Sequence, residues 1–168
     1  LRAHPLAWPL LDVERVEVTA VWDDAATGVR CKARYDALFD DSTMIADLKT
    51  TENAAKPAFT KTVYDLGYYI QAAFYVSGAL ALGLPAEEFV FVAVEKVPIY
   101  GVKVYPIRGE AIAAGQTELR PLLDLWGACN AAGEWPGYPA EVDEISLPPH
   151  AWRQIEARAV ERTLALEE

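Results

Sequence analysis

Cysteine is scarce: Cys31 and Cys129 are the only two in 168 residues, too few for a metal cluster of their own or for a disulfide framework. A reducing cytoplasm fits that usage. Basic residues are also in short supply. Fifteen Lys and Arg face 25 Asp and Glu, for a net charge of −10, which argues against a broad surface that neutralises nucleic-acid phosphates. A carboxylate-lined cation site remains open, because bound ions reverse the local field. No run of about 18 apolar residues occurs, so no membrane span is expected. Internal repeats, low-complexity linkers and nucleophile motifs for covalent catalysis are missing too. The opening LRAHPLAWPLL starts at Leu1 and lacks the basic start and small-residue cleavage site of a signal peptide.

What is present is the composition of a folded protein. Hydrophobic residues make up 52% and charged residues 24%, enough for one domain with a real core. Residues 1–12 read as the tail of a helix broken by Pro5 and Pro9. ERVEVTAVW, VRCKARYDALF and TMIADLKT alternate as three strands, separated by the turns DDAATG and DDS. Pro57 suits a helical first turn. A second helical stretch follows as far as Gly83, with an apolar stripe at Val63, Leu66, Ile70, Ala73 and Phe74, and with Tyr64, Tyr68, Gln71 and Tyr75 on another face. EFVFVAVEK and GVKVYPIR predict two further strands. Residues 109–132 read as a helix, the Pro- and Gly-rich segment after it as a loop, and the stretch from about His150 as a last amphipathic helix. The order implies an α/β fold, a central mixed sheet flanked by helices.

One stretch concentrates chemistry. On an alternating strand Asp47 and Lys49 point the same way with Leu48 buried behind them, and a hairpin about DDS sets Asp36 across from Asp47. Two neighbouring carboxylates repel unless a cation lies between them. Mg²⁺ prefers such oxygen ligands and completes its shell with water and phosphate oxygens. A lysine beside them can orient or deprotonate a water, or stabilise charge developing on phosphorus. This is equipment for metal-assisted phosphodiester hydrolysis. Blander readings stand beside it. Asp36 suits a cap of the FDDS turn, Asp47 and Lys49 an ion pair on an exposed edge strand, and Gln71 and Tyr75 the solvated side of a helix. Lys32 and Arg34, on the Asp36 face, are phosphate contacts or charge partners of the many acids.

Tyr35-Asp36, a ten-residue gap and DLK at 47–49 resemble the signature of the PD-(D/E)XK nuclease superfamily, and QAAFY at 71–75 resembles the Gln-x-x-x-Tyr helix motif of its RecB-type branch. CKARYD, ADLKTT, YDLGYYIQAAFY, FVFVAVEK and EWPGYPAEVDEISLPPHA are together similar to the carboxy-terminal nuclease domain of RecE-type exonucleases, over about Glu17 to Ala151. The resemblance implies a restriction-endonuclease-like fold over 1–168. It implies Asp36, Asp47 and the Leu48 backbone carbonyl as metal ligands, with Glu17 assisting, and Lys49 as the catalytic lysine. Gln71 and Tyr75 would face the site from their helix and hold the DNA backbone or the terminal nucleotide. Lys32, Arg34, Thr50 and Tyr68 are the further candidate DNA contacts, apart from what the resemblance implies. The implied cofactor is Mg²⁺, with Mn²⁺ able to substitute. The implied activity is 5′ to 3′ digestion of linear duplex DNA in phage recombination, beside a RecT-type single-strand annealing partner and in a homo-oligomeric ring. The family carries a further histidine ligand on an upstream helix, and His4 is too close to the first strand to be that residue. A fragment lacking its amino-terminal helical segment is therefore expected, with weakened metal binding. The alternatives are a single-strand nuclease or endonuclease of the same superfamily, and an inactive assembly or partner-binding module.

Overall fold

The computed structural model describes residues 1–107 and 109–164, with the backbone alone for 160–164. After a single turn of helix, α1 (Trp8–Leu11), the alternating segments form β1 (Arg15–Asp23) and β2 (Arg30–Leu38), antiparallel with Val18 opposite Tyr35 and Trp22 opposite Cys31. Asp24 closes their turn, its Oδ2 accepting from the Thr27 N–H at 3.0 Å and the Thr27 hydroxyl at 2.7 Å. β3 (Met44–Thr51) returns antiparallel to β2, with Ala37 opposite Ala46 and Leu38 opposite Ile45. Asp41, not Asp36, caps this second turn, accepting from the Thr43 N–H at 3.0 Å and hydroxyl at 2.7 Å.

A parallel neighbour requires a long crossover, and the chain fills it with α2 (Lys56–Asp65) and α3 (Tyr68–Ala81). β4 (Glu88–Glu95) then runs parallel to β3, with Phe91 beside Asp47 and Ala93 beside Lys49, and β5 (Val102–Ile107) pairs antiparallel with β4. The sheet order β1-β2-β3-β4-β5 makes β3 the central strand of a mixed sheet. The fold is α/β and restriction-endonuclease-like, as expected.

The two helical stretches expected between Pro57 and Gly83 are present, but the apolar stripe and the tyrosine face assigned to the second of them run across the boundary between the two. Gly67 adopts φ +65°, a left-handed conformation open to glycine, and separates α2 from α3. Leu66, expected in the buried stripe, is left 62% exposed at the break. Tyr64 is exposed and stacks on Tyr69, so Tyr64, Tyr68, Gln71 and Tyr75 do not share one face.

The main core lies between α2, α3 and one face of the sheet. Phe59 meets Phe91 at 6.0 Å, Tyr75 meets Phe89 at 6.0 Å, and Phe89 meets Phe91 at 5.1 Å between ring centroids. Tyr35, Leu38, Ile45 and Val76 join them. α4 (Glu110–Ala132) packs on α3 where Gly115 leaves room, and its Arg120 grips Asp24 with bonds of 2.9 and 3.0 Å. The other sheet face buries Ala37, Ala46, Val90 and Val92 and leaves Val16, Val21 and Leu48 exposed.

One irregularity positions the site. Tyr35 and Leu38 both belong to the helix-side core though three residues apart, so the period-2 alternation slips between them. The register on either side leaves Glu17 facing Asp36, and Glu17 takes φ +53°. Both strands therefore change face at this rung. Asp36 departs from the outward face of Lys32 and Arg34 and turns toward β3.

By backbone contacts the chain falls into two compact units, Leu1–Trp135 and Pro136–Glu168. Residues 136–148 carry three prolines and are exposed throughout, so they form neither helix nor strand before α5 (Pro149–Leu164). Among the described residues no helix is long and apolar enough to cross a membrane.

Candidate active site

Asp47 occupies the middle of the central strand and is 2% exposed, which rules out the edge-strand reading. Its Oδ1 accepts a hydrogen bond of 3.1 Å from the Gln71 amide on α3. Its Oδ2 lies 2.5 Å from Lys49 Nζ without hydrogen-bond alignment and is otherwise without a partner. The Lys49 amine rests 4.6 Å from the centroid of the Tyr68 ring, a cation–π contact that holds the amine beside Asp47. From the β2 side, Asp36 Oδ2 accepts the Leu48 N–H at 2.8 Å, standing in for a ladder carbonyl at the slip. Five side chains, Asp36 from β2, Asp47 and Lys49 from β3, and Tyr68 and Gln71 from α3, thus converge where β2 leaves β3.

Burial pushes the Asp47 carboxyl upward; Lys49 and Gln71 oppose that rise and the Asp36 charge adds to it. A buried carboxylate oxygen with no hydrogen bond, beside a second carboxylate, is a donor set suited to a hard divalent cation. Such an ion would bind Asp47 Oδ2 in competition with Lys49. No third His, Cys, Asp or Glu joins a metal-holding group among the described residues, so further ligands come from water, phosphate or main chain. The Leu48 carbonyl qualifies: N–H and C=O of one strand residue point to the same side, and the Leu48 N–H already points at Asp36.

The remaining expected residues are placed differently. The Leu48 side chain is 39% exposed on the face away from the helices, not buried behind Asp47, because the helices cover the Asp47 side. Glu17 does not reach the site; its carboxylate pairs with Arg34 at 2.8 Å, both side chains exposed. Lys32 and Arg34 alternate with core residues Cys31, Ala33 and Tyr35 and so face away from Asp47 and Lys49. Tyr75 packs its ring on Tyr35 and Phe89, beside Ile45 rather than Asp47 in the register. Thr50 is exposed at the end of β3. Tyr68 is engaged by Lys49 and by Phe91 at 5.9 Å. Its part as a platform for the lysine went unread in the sequence, although its spacing of three from Gln71 puts both on one helix face. His4 caps a local turn, accepting from the Ala7 N–H at 3.1 Å.

A family model described as a PDDEXK-like domain of unknown function (DUF3799) matches residues 13–148. No curated protein sequence matches the chain. Among solved structures, a Eubacterium rectale protein whose exonuclease assignment is itself provisional superposes with a TM-score of 0.63 at 15% identity, over 87% of this chain and 57% of that one. This chain therefore spans little more than half of that relative, and the likeness is one of fold. The structure of SSO0001 aligns with a TM-score of 0.41 at 17% identity, over 64% of this chain and 50% of that one, too loosely to carry an argument. These matches support the superfamily and do not single out RecE-type exonucleases.

Proposed function

We propose that this chain, which belongs to the PDDEXK-like DUF3799 family, is a divalent-metal-dependent exonuclease that hydrolyses linear duplex DNA. The observation that carries the reading is the meeting of Asp36, Asp47 and Lys49 at the point where β2 and β3 part. Asp36, Asp47 and the Leu48 carbonyl would hold Mg²⁺ or Mn²⁺. The bound ion supplies Lewis-acid charge and a water acidic enough to attack at neutral pH. Gln71 fixes the Asp47 carboxylate, and Lys49 orients the attacking water or neutralises charge growing on phosphorus. In the hydrolysis the water oxygen bonds to phosphorus, the bond to the 3′ oxygen breaks, and a proton ends on that oxygen. Digestion from the 5′ end, a ring of subunits around DNA, a RecT-type annealing partner and a place in phage recombination complete the proposal, on resemblance.

Asp47→Ala is expected to abolish degradation of linear duplex while the circular dichroism spectrum stays that of the wild type. Calorimetric titration should show Mn²⁺ binding that is lost in the same variant. A variant that degrades linear duplex at the wild-type rate refutes the assignment. Closed-circular duplex that is nicked or cut as fast as linear duplex favours an endonuclease of the same superfamily.

A further inference from the structure

A cavity of about 250 Å³ opens beside Tyr68, the residue on which the Lys49 amine rests, and is lined by Thr50, Asn53, Thr62, Leu66, Tyr68 and Lys96 among others. We propose that it receives the base of the nucleotide whose phosphodiester is cut, an inference that rests on the nuclease reading above. The placement comes first. Thr50 and Asn53 follow Lys49 within four residues, and Tyr68, whose ring carries the lysine amine, also lines the cavity. A phosphate held at Asp47 and Lys49 leaves its own nucleoside within reach of this space.

Size and chemistry agree with that occupant. The volume falls below the roughly 300–1,000 Å³ of sites for drug-sized ligands, which suits one planar ring system and not a dinucleotide. Leu66, 62% exposed where the helix breaks at Gly67, and the Tyr68 ring supply apolar surface for the face of a base. The Asn53 Oδ1 is taken by the Ala55 N–H at 2.8 Å, so its amide NH₂ is the group left to meet a base carbonyl. Glu52, which also lines the cavity, lies 3.5 Å from Lys96 Nζ. The two charges balance, and a neutral heterocycle fits better than a second phosphate. A base seated here cannot at the same time be paired in a duplex, so the nucleotide being cut is an unpaired one.

The test pairs a change in the cavity with a change in the DNA. The substrate is a linear duplex whose digested strand carries one abasic residue, placed in turn at each nucleotide around the first bond cut. The wild type should lose about tenfold in rate when the abasic residue adjoins that bond, in keeping with the stacking of one base, and little at other positions. Thr62→Trp, which fills the cavity, should be slow on intact DNA and show no added loss on the abasic strand. Leu66→Ala changes an exposed side chain, so its fold is safe, and should show a smaller version of the same pattern. Wild-type indifference to the abasic residue at every position overturns the proposal. So does a Leu66→Ala protein with the wild-type rate and the full abasic penalty. A wild-type chain that cuts neither substrate in Mg²⁺ or Mn²⁺ refutes the nuclease reading itself, and this proposal with it.

Discussion

Exchanging the Asp47–Lys49 pair for Asn and Met should make the protein more stable while destroying its activity. Asp47 is 2% exposed and the Lys49 side chain 15%, so both charges are held largely out of water. Desolvation costs several kcal/mol per ion, against which stand the 2.5 Å pairing of Asp47 Oδ2 with Lys49 and the Gln71 bond, worth about 1.5–3 kcal/mol. The imbalance is visible in the Asp47 carboxyl, which burial drives above its ordinary value. Asp47→Asn keeps an acceptor for Gln71, and Lys49→Met keeps a flexible stem over the Tyr68 ring with a favourable sulfur contact. Neutral replacement of a buried pair gains about 1–4 kcal/mol in favourable cases. Lys49 is partly solvated and already rests on Tyr68, so the lower end applies, about 1–2 kcal/mol, or about 2–8 °C in Tm for a chain of this size. The pH dependence has a fixed sign. A carboxyl raised by folding stabilises the fold below its unfolded value, near about 3.9, and that contribution is lost as pH rises through the raised value. The double variant should lack this decline. Thermal melts in EDTA, followed by circular dichroism from about pH 3 to 8, measure both effects. A double variant no more stable than the wild type at neutral pH refutes the reasoning.

Gln71→Ala leaves Asp47 Oδ1 buried without its amide, and kcat on linear duplex should fall roughly ten- to a hundredfold at the cost of about 1.5–3 kcal/mol; an unchanged kcat removes Gln71 from the site. Gly115→Val places a Cβ 2.4 Å from the Tyr69 carbonyl oxygen and 2.8 Å from Ala73 Cβ. Overpacking of this kind costs about 1–3 kcal/mol, to be read as a lower urea midpoint together with reduced kcat, because α3 carries Gln71. The Arg120 guanidinium lowers the Asp24 carboxyl to about 2, with Thr27 assisting. Its stabilising effect is therefore full above about pH 4 and lost as pH falls toward 2. Asp24→Asn should cost about 1–2 kcal/mol at neutral pH and flatten the acid limb of the stability curve over that window.

Strand alternation made β1, β2 and β3 legible, and the D-x-K spacing alone implied that Asp47 and Lys49 share a face. The slip at Asp36 was hidden, because it depends on two strands changing face at one rung, with Glu17 in a conformation that residue type rarely adopts. Leu48 was misread for a related reason: alternation says that Asp47 and Leu48 point apart, but not which side the helices cover. Two helical stretches between Pro57 and Gly83 were legible, but the position of the break at Gly67 was not, because Tyr, Leu and Ile keep a helical period across it and a single glycine inside such a run is compatible with a continuous helix. The grip of Arg120 on Asp24 joins residues 96 positions apart and leaves no local pattern to read.

Asp36 holds a main-chain rung together with its own carboxylate, so its removal deprives the Leu48 amide of its acceptor as well as taking away a candidate ligand. An inactive Asp36 variant therefore mixes a loosened strand junction with a chemical defect. Asp47, bonded here to side chains alone, is the position at which mutagenesis separates chemistry from architecture.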